Sequence, residues 1–308
     1  MARGHGYNSQ DKQAWAGEQL ALREQMPRLF RPGGTVKFLD YDDLYPLKPI
    51  ILNEVQNPEL DVMLFHHHGA PQTEYINGLP EGSSVGANIE EIKRYLRSKL
   101  PWRARKVGHK QAVEEYSEQL GVPREWCEEA FDSLKLVQDS LFNETLDIHA
   151  YDVHKLHPGA RFILFDACFN GSFHLNDYLA GAYVFAPGYT VAAVAGTVNA
   201  LQDKWPDEFI GLLAAGMRVG QFNRFTGYLE SHIIGDPTFH FKNDGSLAFD
   251  INQALTLHDR DAAFWRKQLS CRLPDAKAMA LRQLANAGER GLPELLAHTY
   301  RASDDFVV

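Results

Sequence analysis

Phe162-Ile163-Leu164-Phe165-Asp166-Ala167-Cys168-Phe169-Asn170-Gly171 is the stretch that decides how this chain folds. Four apolar residues followed at once by Asp, a small residue and Cys read as a buried strand that stops at a sheet edge and delivers its polar side chains there. An earlier segment repeats the design: Val62-Met63-Leu64-Phe65 runs into His66-His67-His68-Gly69. A thiol and an imidazole delivered side by side are the minimum machinery of cysteine catalysis, because the thiol is mostly protonated near neutral pH and the imidazole takes its proton. The attacked carbonyl then gains negative charge, which backbone N–H groups stabilise. Gly69 lets its amide approach a substrate closely and Ala167 keeps the strand exit uncrowded, so the amides of Gly69 and Cys168 are the candidates for that oxyanion hole.

Working outward, residues 9–30 predict a helix, with Trp15, Leu20, Leu22, Met26 and Leu29 at roughly helical spacing. Pro32-Gly33-Gly34 ends it, and 35–39 reads as a short strand. Beyond the Cys168 stretch the pattern predicts a helix near 174–182, a strand over 189–195, a helix over 206–219, a last strand region over 231–241 and a turn at 243–246. Alternation of this kind specifies an α/β fold, with helices on the faces of a mostly parallel sheet.

Two helical segments interrupt or follow that pattern. About 88–150 reads as an insertion, with a basic cluster (Lys93, Arg94, Arg97, Lys99, Arg103, Arg105, Lys106 and Lys110) around Trp102, then an acidic stretch from Glu114 to Asp132. A solvated helix face explains the cluster, and an acidic partner is the alternative. Residues 250–308 form the second, helical unit. Pro274–Ala285 opens with Pro and an acidic first turn, as an amphipathic helix does, and a further helix starts near Leu292. The paired short helices resemble the opening of a HEAT-type repeat. One repeat cannot bury its own apolar face, so the natural chain is expected to continue beyond Val308, and Ser303-Asp304-Asp305 suits the cap of another helix.

Composition narrows the function classes. A net charge of −9 argues against wholesale binding to nucleic acid or an anionic membrane. No apolar run approaches the roughly 20 residues that span a bilayer. The start, Met1-Ala2-Arg3-Gly4-His5, has no apolar leader, which fits a cytoplasmic chain unless a signal has been removed. Three cysteines are too few for a disulfide framework, and Cys127 and Cys271 sit in helical surroundings that suit structural thiols. The His triplet invites zinc, since in a strand His66 and His68 share a face and Cys168 is available. No further ligand spacing completes a tetrahedral set, so no metal or cofactor is expected, and His66 and His67 take supporting roles.

The two strand ends resemble those of caspase-like cysteine peptidases, and the gingipain type is the nearest in pattern. Phe162–Phe173 is similar to the segment that carries their nucleophile. Thr190–Asn199 with Trp205 resembles the strand and loop that follow it, and Ile234-Gly235-Asp236-Pro237-Thr238 their last strand. The matches run in order over about 60–240, apart from the insertion. The resemblance implies a caspase-like three-layer sandwich over 1–249, Cys168 as nucleophile and His68 as general acid/base. It also implies a protein or peptide substrate cut after Arg or Lys, in a pocket lined by Thr197, Asn199 and Trp205. Asp11 stands at about the place of the family's acidic specificity residue, and stabilising a helix N-terminus is its other reading. The insertion has no counterpart in the family pattern, and no residue that orients His68 is identifiable. An inactive caspase-like scaffold, contacting protein partners through the helical segments, is the competing reading.

Overall fold

The computed structural model describes residues 1–4, 12–41, 43–76, 84–200, 208–227 and 230–303, with side chains in the first helix from residue 16 onward. Nine strands occur among them: β1 (Ala2–Arg3), β2 (Leu39–Asp40), β3 (Val62–His66), β4 (His68–Ala70), β5 (Thr73–Tyr75), β6 (Ile148–His149), β7 (Phe162–Asp166), β8 (Ala192–Gly196) and β9 (Ser231–Gly235). The central sheet has the order β2-β1-β3-β7-β8-β9, parallel throughout except for β9, which runs antiparallel to β8. A small antiparallel sheet, β4-β5-β6, continues from the end of β3.

The apolar runs are continuous because the sheet is covered on both faces. Leu64, Phe162, Leu164, Ala192 and Val194 point into one core with Leu22, Phe222 and Trp265. Their alternates Met63, Phe65, Ile163, Phe165, Ala193 and Ala195 point into the other, with Leu47, Ile51, Val153 and Tyr183. Phe65 and Phe165, opposite each other across β3 and β7, stack with centroids 5.3 Å apart. Full burial of such a ring contributes roughly 1.5–3 kcal/mol.

Several expected boundaries move. The helix expected over 9–30 is Lys12–Gln25, followed by turns, and the strand expected over 35–39 is only Leu39–Asp40. The helix near 174–182 starts at Leu179, because residues after Cys168 are held in turns, with the Ser172 hydroxyl donating to the Phe169 carbonyl. The helix expected over 206–219 is two short ones, Ile210–Ala214 and Val219–Thr226, broken where Gly216 takes a φ of 94°. β1 escaped the sequence reading altogether. It has two residues, and its Arg3 is buried against Asp40 in a bidentate ion pair with contacts of 2.8 and 2.9 Å.

The insertion comprises helices Val85–Val107, His109–Leu120, Arg124–Glu128 and Ser133–Leu146 around a small core of its own that includes Leu96, Leu100, Val113 and Cys127. Much of its basic cluster is spent internally: Lys93 pairs with Glu129, Arg94 and Arg97 with Asp139, and Arg103 with Glu115. Helix Ser133–Leu146 meets helix Leu47–Glu54, where the Lys48 ammonium donates to the Glu144 carbonyl at 2.8 Å.

The C-terminal helices (Ile251–Leu257, Ala262–Gln268, Pro274–Asn286 and Leu292–Ala302) complete one face of the sheet. Trp265, Met279, Ala280 and Leu284 share the core of Leu64 and Phe162. Buried Asp275 stitches this layer, accepting from the Gly211 amide at 2.7 Å and the Gln25 side chain at 3.2 Å. Desolvation pushes its carboxyl up to about 7. Asp304 and Asp305, expected to cap a further helix, lie outside the described residues, and no helix described is long and apolar enough to cross a membrane.

Candidate active site

Strands β3 and β7 are adjacent, parallel and paired residue for residue from Val62↔Phe162 to His66↔Asp166. Their C-terminal ends therefore emerge together, and His68 and Cys168 each follow two residues later. The His67 amide donates to the Asp166 carbonyl at 3.3 Å, carrying the pairing one residue past the strands. Gly69 is pressed against the Cys168 backbone: a Cβ built on it would stand 2.4 Å from the Cys168 carbonyl oxygen. Only glycine fits that approach.

Past the sulfur the backbone turns sharply. Phe169 adopts a φ of 62°, a left-handed conformation that bulky residues rarely take. Its amide donates to the Val198 carbonyl at 3.0 Å and the Gly171 amide to the Gly196 carbonyl at 2.8 Å, which ties the loop to the end of β8. Cys168 is partly exposed, and the Ala200 amide donates to its Sγ at 3.3 Å. Asn170, two residues further on, is fully buried. Its Nδ2 donates to the carbonyls of Ala70 at 2.7 Å and Thr73 at 3.2 Å.

The three consecutive histidines occupy three different environments. His66 is wholly buried between Glu18, 3.0 Å from Nε2, and Asp166, 3.3 Å from Nδ1. Burial alone would push its imidazole down, but the Glu18 charge and the contacts with both carboxylates carry it up to about 10, so it is a cation at neutral pH. His67 is equally buried, and its Nδ1 bonds the His68 carbonyl at 2.7 Å. Desolvation holds it down at about 3, hence neutral. His68 is exposed at the start of β4, and partial desolvation lowers its pKa below the ordinary imidazole value. A neutral imidazole at the surface is the state a general base requires. Among the described residues no acidic side chain pairs with it.

With both ring nitrogens of His66 turned to buried carboxylates, His66 and His68 do not converge as zinc ligands would. Among the described residues no group of three His, Cys, Asp or Glu has the geometry to hold a metal ion.

The segment after β8 forms a wall beside Cys168. Thr197 donates through its amide to the Glu230 carbonyl at 3.0 Å, and its hydroxyl lies 3.3 Å from Glu230 Oε2 and 3.2 Å from His232 Nε2. Phe173 packs edge-on to His232, with centroids 4.8 Å apart. Asn199 is exposed on the same segment. Asp11 and Trp205, the other expected pocket residues, lie outside the described residues.

Glu18, Asn170 and Glu230 were not foreseen. Glu18 had a readable signal, since it stands one helical turn before Leu22 on the stripe that enters the core, where a carboxylate must find a partner. Asn170 and Glu230 had none, because their partners are distant backbone or side-chain groups. Comparison of the chain with protein-family models, curated proteins and solved structures returned no match.

Proposed function

We propose that the protein is a cysteine endopeptidase of the caspase-like, gingipain type, using Cys168 as nucleophile and His68 as general acid/base. The observation that carries this reading is the parallel, in-register pairing of β3 with β7, which sends the histidine and the cysteine off the same sheet edge with Gly69 against the Cys168 carbonyl. His68 takes the thiol proton as Sγ attacks the scissile carbonyl carbon. It returns that proton to the leaving amine, which departs and leaves a thioester. His68 then takes a proton from water, whose oxygen attacks the thioester, and the proton passes back to sulfur as the acid is released. The amides of Gly69 and Cys168 are assigned to the oxyanion in both steps.

Cleavage after Arg or Lys is part of this reading. The Glu230 carboxylate at the Thr197 wall supports it, because a basic side chain entering there meets a negative charge. The second reading, an inactive scaffold, is favoured by one feature of the insertion. Leu134, Val137 and Leu141 lie on one side of their helix and are 74%, 59% and 59% exposed, an apolar stripe of the kind partners cover.

Fluorogenic peptides ending in Arg, Lys, Asp or Asn separate the two. Turnover of the Arg or Lys peptides, abolished in Cys168→Ala and His68→Ala, is expected. No turnover of any peptide, with no labelling of Cys168 by an irreversible thiol-directed peptide inhibitor, would sink the peptidase reading in favour of the scaffold.

A further inference from the structure

Cys168 and His68 sit on different pieces of chain: the sulfur on the loop after β7, the imidazole at the start of the β4–β5 hairpin. Backbone pairing fixes the two only as far as the His67 amide on the Asp166 carbonyl. Beyond that point something else must set the separation between imidazole and sulfur. Asn170 bridges the gap. It belongs to the Cys168 loop, and its backbone carbonyl is anchored by the Ala180 amide at 3.0 Å. Its side-chain amide reaches across to the Ala70 and Thr73 carbonyls, the two residues that flank the Pro71-Gln72 turn of the hairpin. The same side chain fills the space beside Gly69, with Nδ2 and Oδ1 each 3.0 Å from where a Cβ would be. The Leu179 amide also holds the turn, donating to the Pro71 carbonyl at 2.8 Å.

The chemistry of the contact selects the residue type. Two carbonyl oxygens need two N–H donors from one short side chain, and only a primary amide provides them at this reach. Aspartate has the same shape but accepts where donation is required, and serine has one donor on a shorter arm.

We propose that Asn170 is a positioning residue that sets the distance between His68 and Cys168 by fastening the hairpin that carries the imidazole to the loop that carries the thiol. Its catalytic consequence rests on the peptidase reading; its structural consequence does not. Misplacing a reacting group by about 1 Å costs on the order of a hundredfold in rate. Substrate affinity, held by other groups, changes little.

The test uses Asn170→Ser and Asn170→Asp in the full chain, with three readouts: kcat and KM on the best peptide, NMR titration of the His68 ring, and thermal melting. In a folded variant kcat is expected to fall about a hundredfold, with KM within about threefold. The His68 titration moves up toward about 6.5 as the freed hairpin lets water reach the ring. A folded variant with wild-type kcat and an unmoved His68 titration overturns the proposal. So does loss of the fold in both variants, the mark of a purely structural role. Should the wild type cleave nothing, a shifted His68 titration in the variants still upholds the clamp while the peptidase reading fails.

Discussion

His66 and His68 are two residues apart, yet they stand in opposite electrostatic worlds. His66 lies under the sheet edge with no exposed surface, gripped by Glu18 and Asp166 and pushed up to about 10. His68 lies on top of the edge, exposed and shifted the other way by desolvation alone. Near neutral pH the same side chain is a cation in one layer and is shifted toward its neutral form in the other. In the buried layer the charge holds strand ends and a helix together, while in the exposed layer the imidazole has no ion-pair partner among the described residues.

The sharpest way to break this contrast is to delete each histidine in turn. His68→Ala is expected to remove turnover by about 10⁴-fold or more while leaving the melting temperature near wild type. His66→Ala leaves two buried carboxylates without their cation, and a loss of about 3–5 kcal/mol in urea unfolding is expected. Equal loss of stability in the two variants would erase the division of labour.

A smaller effect probes the exposed wall. Glu230→Gln should lower kcat/KM for Arg and Lys peptides about tenfold relative to an Asn-ending peptide, because one negative charge facing the basic side chain is gone. An unchanged ratio would remove Glu230 from the proposed specificity pocket.

Stability against pH tests the buried layer without any substrate. The His66 imidazole keeps its proton up to about pH 10 in the folded chain but only to about 6.5 when unfolded. Its contribution is therefore complete below about pH 6.5 and is lost as the pH rises through about 10. His67 has the opposite sign. It stays neutral when folded down to about pH 3, while the unfolded chain takes up a proton below about 6.5, so stability falls as the pH drops across that window. Urea midpoints of the wild type measured from pH 4 to 10 should show both limbs. Glu18→Gln should bring the alkaline limb in at lower pH, because one of the two carboxylates that hold the His66 proton is neutral.

Asp275, in the C-terminal helical layer, adds a pH limb of its own. Its folded carboxyl titrates at about 7 and its unfolded one at about 3.9, so wild-type stability declines as the pH rises between those values. Asp275→Asn keeps an acceptor for the Gly211 amide and should remove that decline. At pH 5 its stability should stay within about 1 kcal/mol of wild type.

How much of this was legible follows from how local each signal is. The strand Phe162–Asp166 was readable to the residue, and Val62–His66 to within one, because unbroken apolar runs demand burial on both faces. Cys168 stands out because it closely follows such a run, and His68 because it alone of the three histidines precedes the glycine, Gly69. Arg3 and Asp40 were invisible, since two-residue strands carry no periodicity and the burial of the pair exists only after β1 and β2 meet. The split of the expected 206–219 helix at Gly216 was missed because apolar spacing alone does not reveal the backbone break there.

The sequence by itself determined the α/β class and the two strand ends, because hydrophobic periodicity and abrupt polar stops are properties of neighbouring residues. Only the tertiary structure decided that β3 and β7 are adjacent and in register, that His66 is clamped between Glu18 and Asp166, and that Asn170 spans the two loops. Those contacts join residues far apart in the chain. Their energies depend on burial and distance, which come into being only when the sheet has formed.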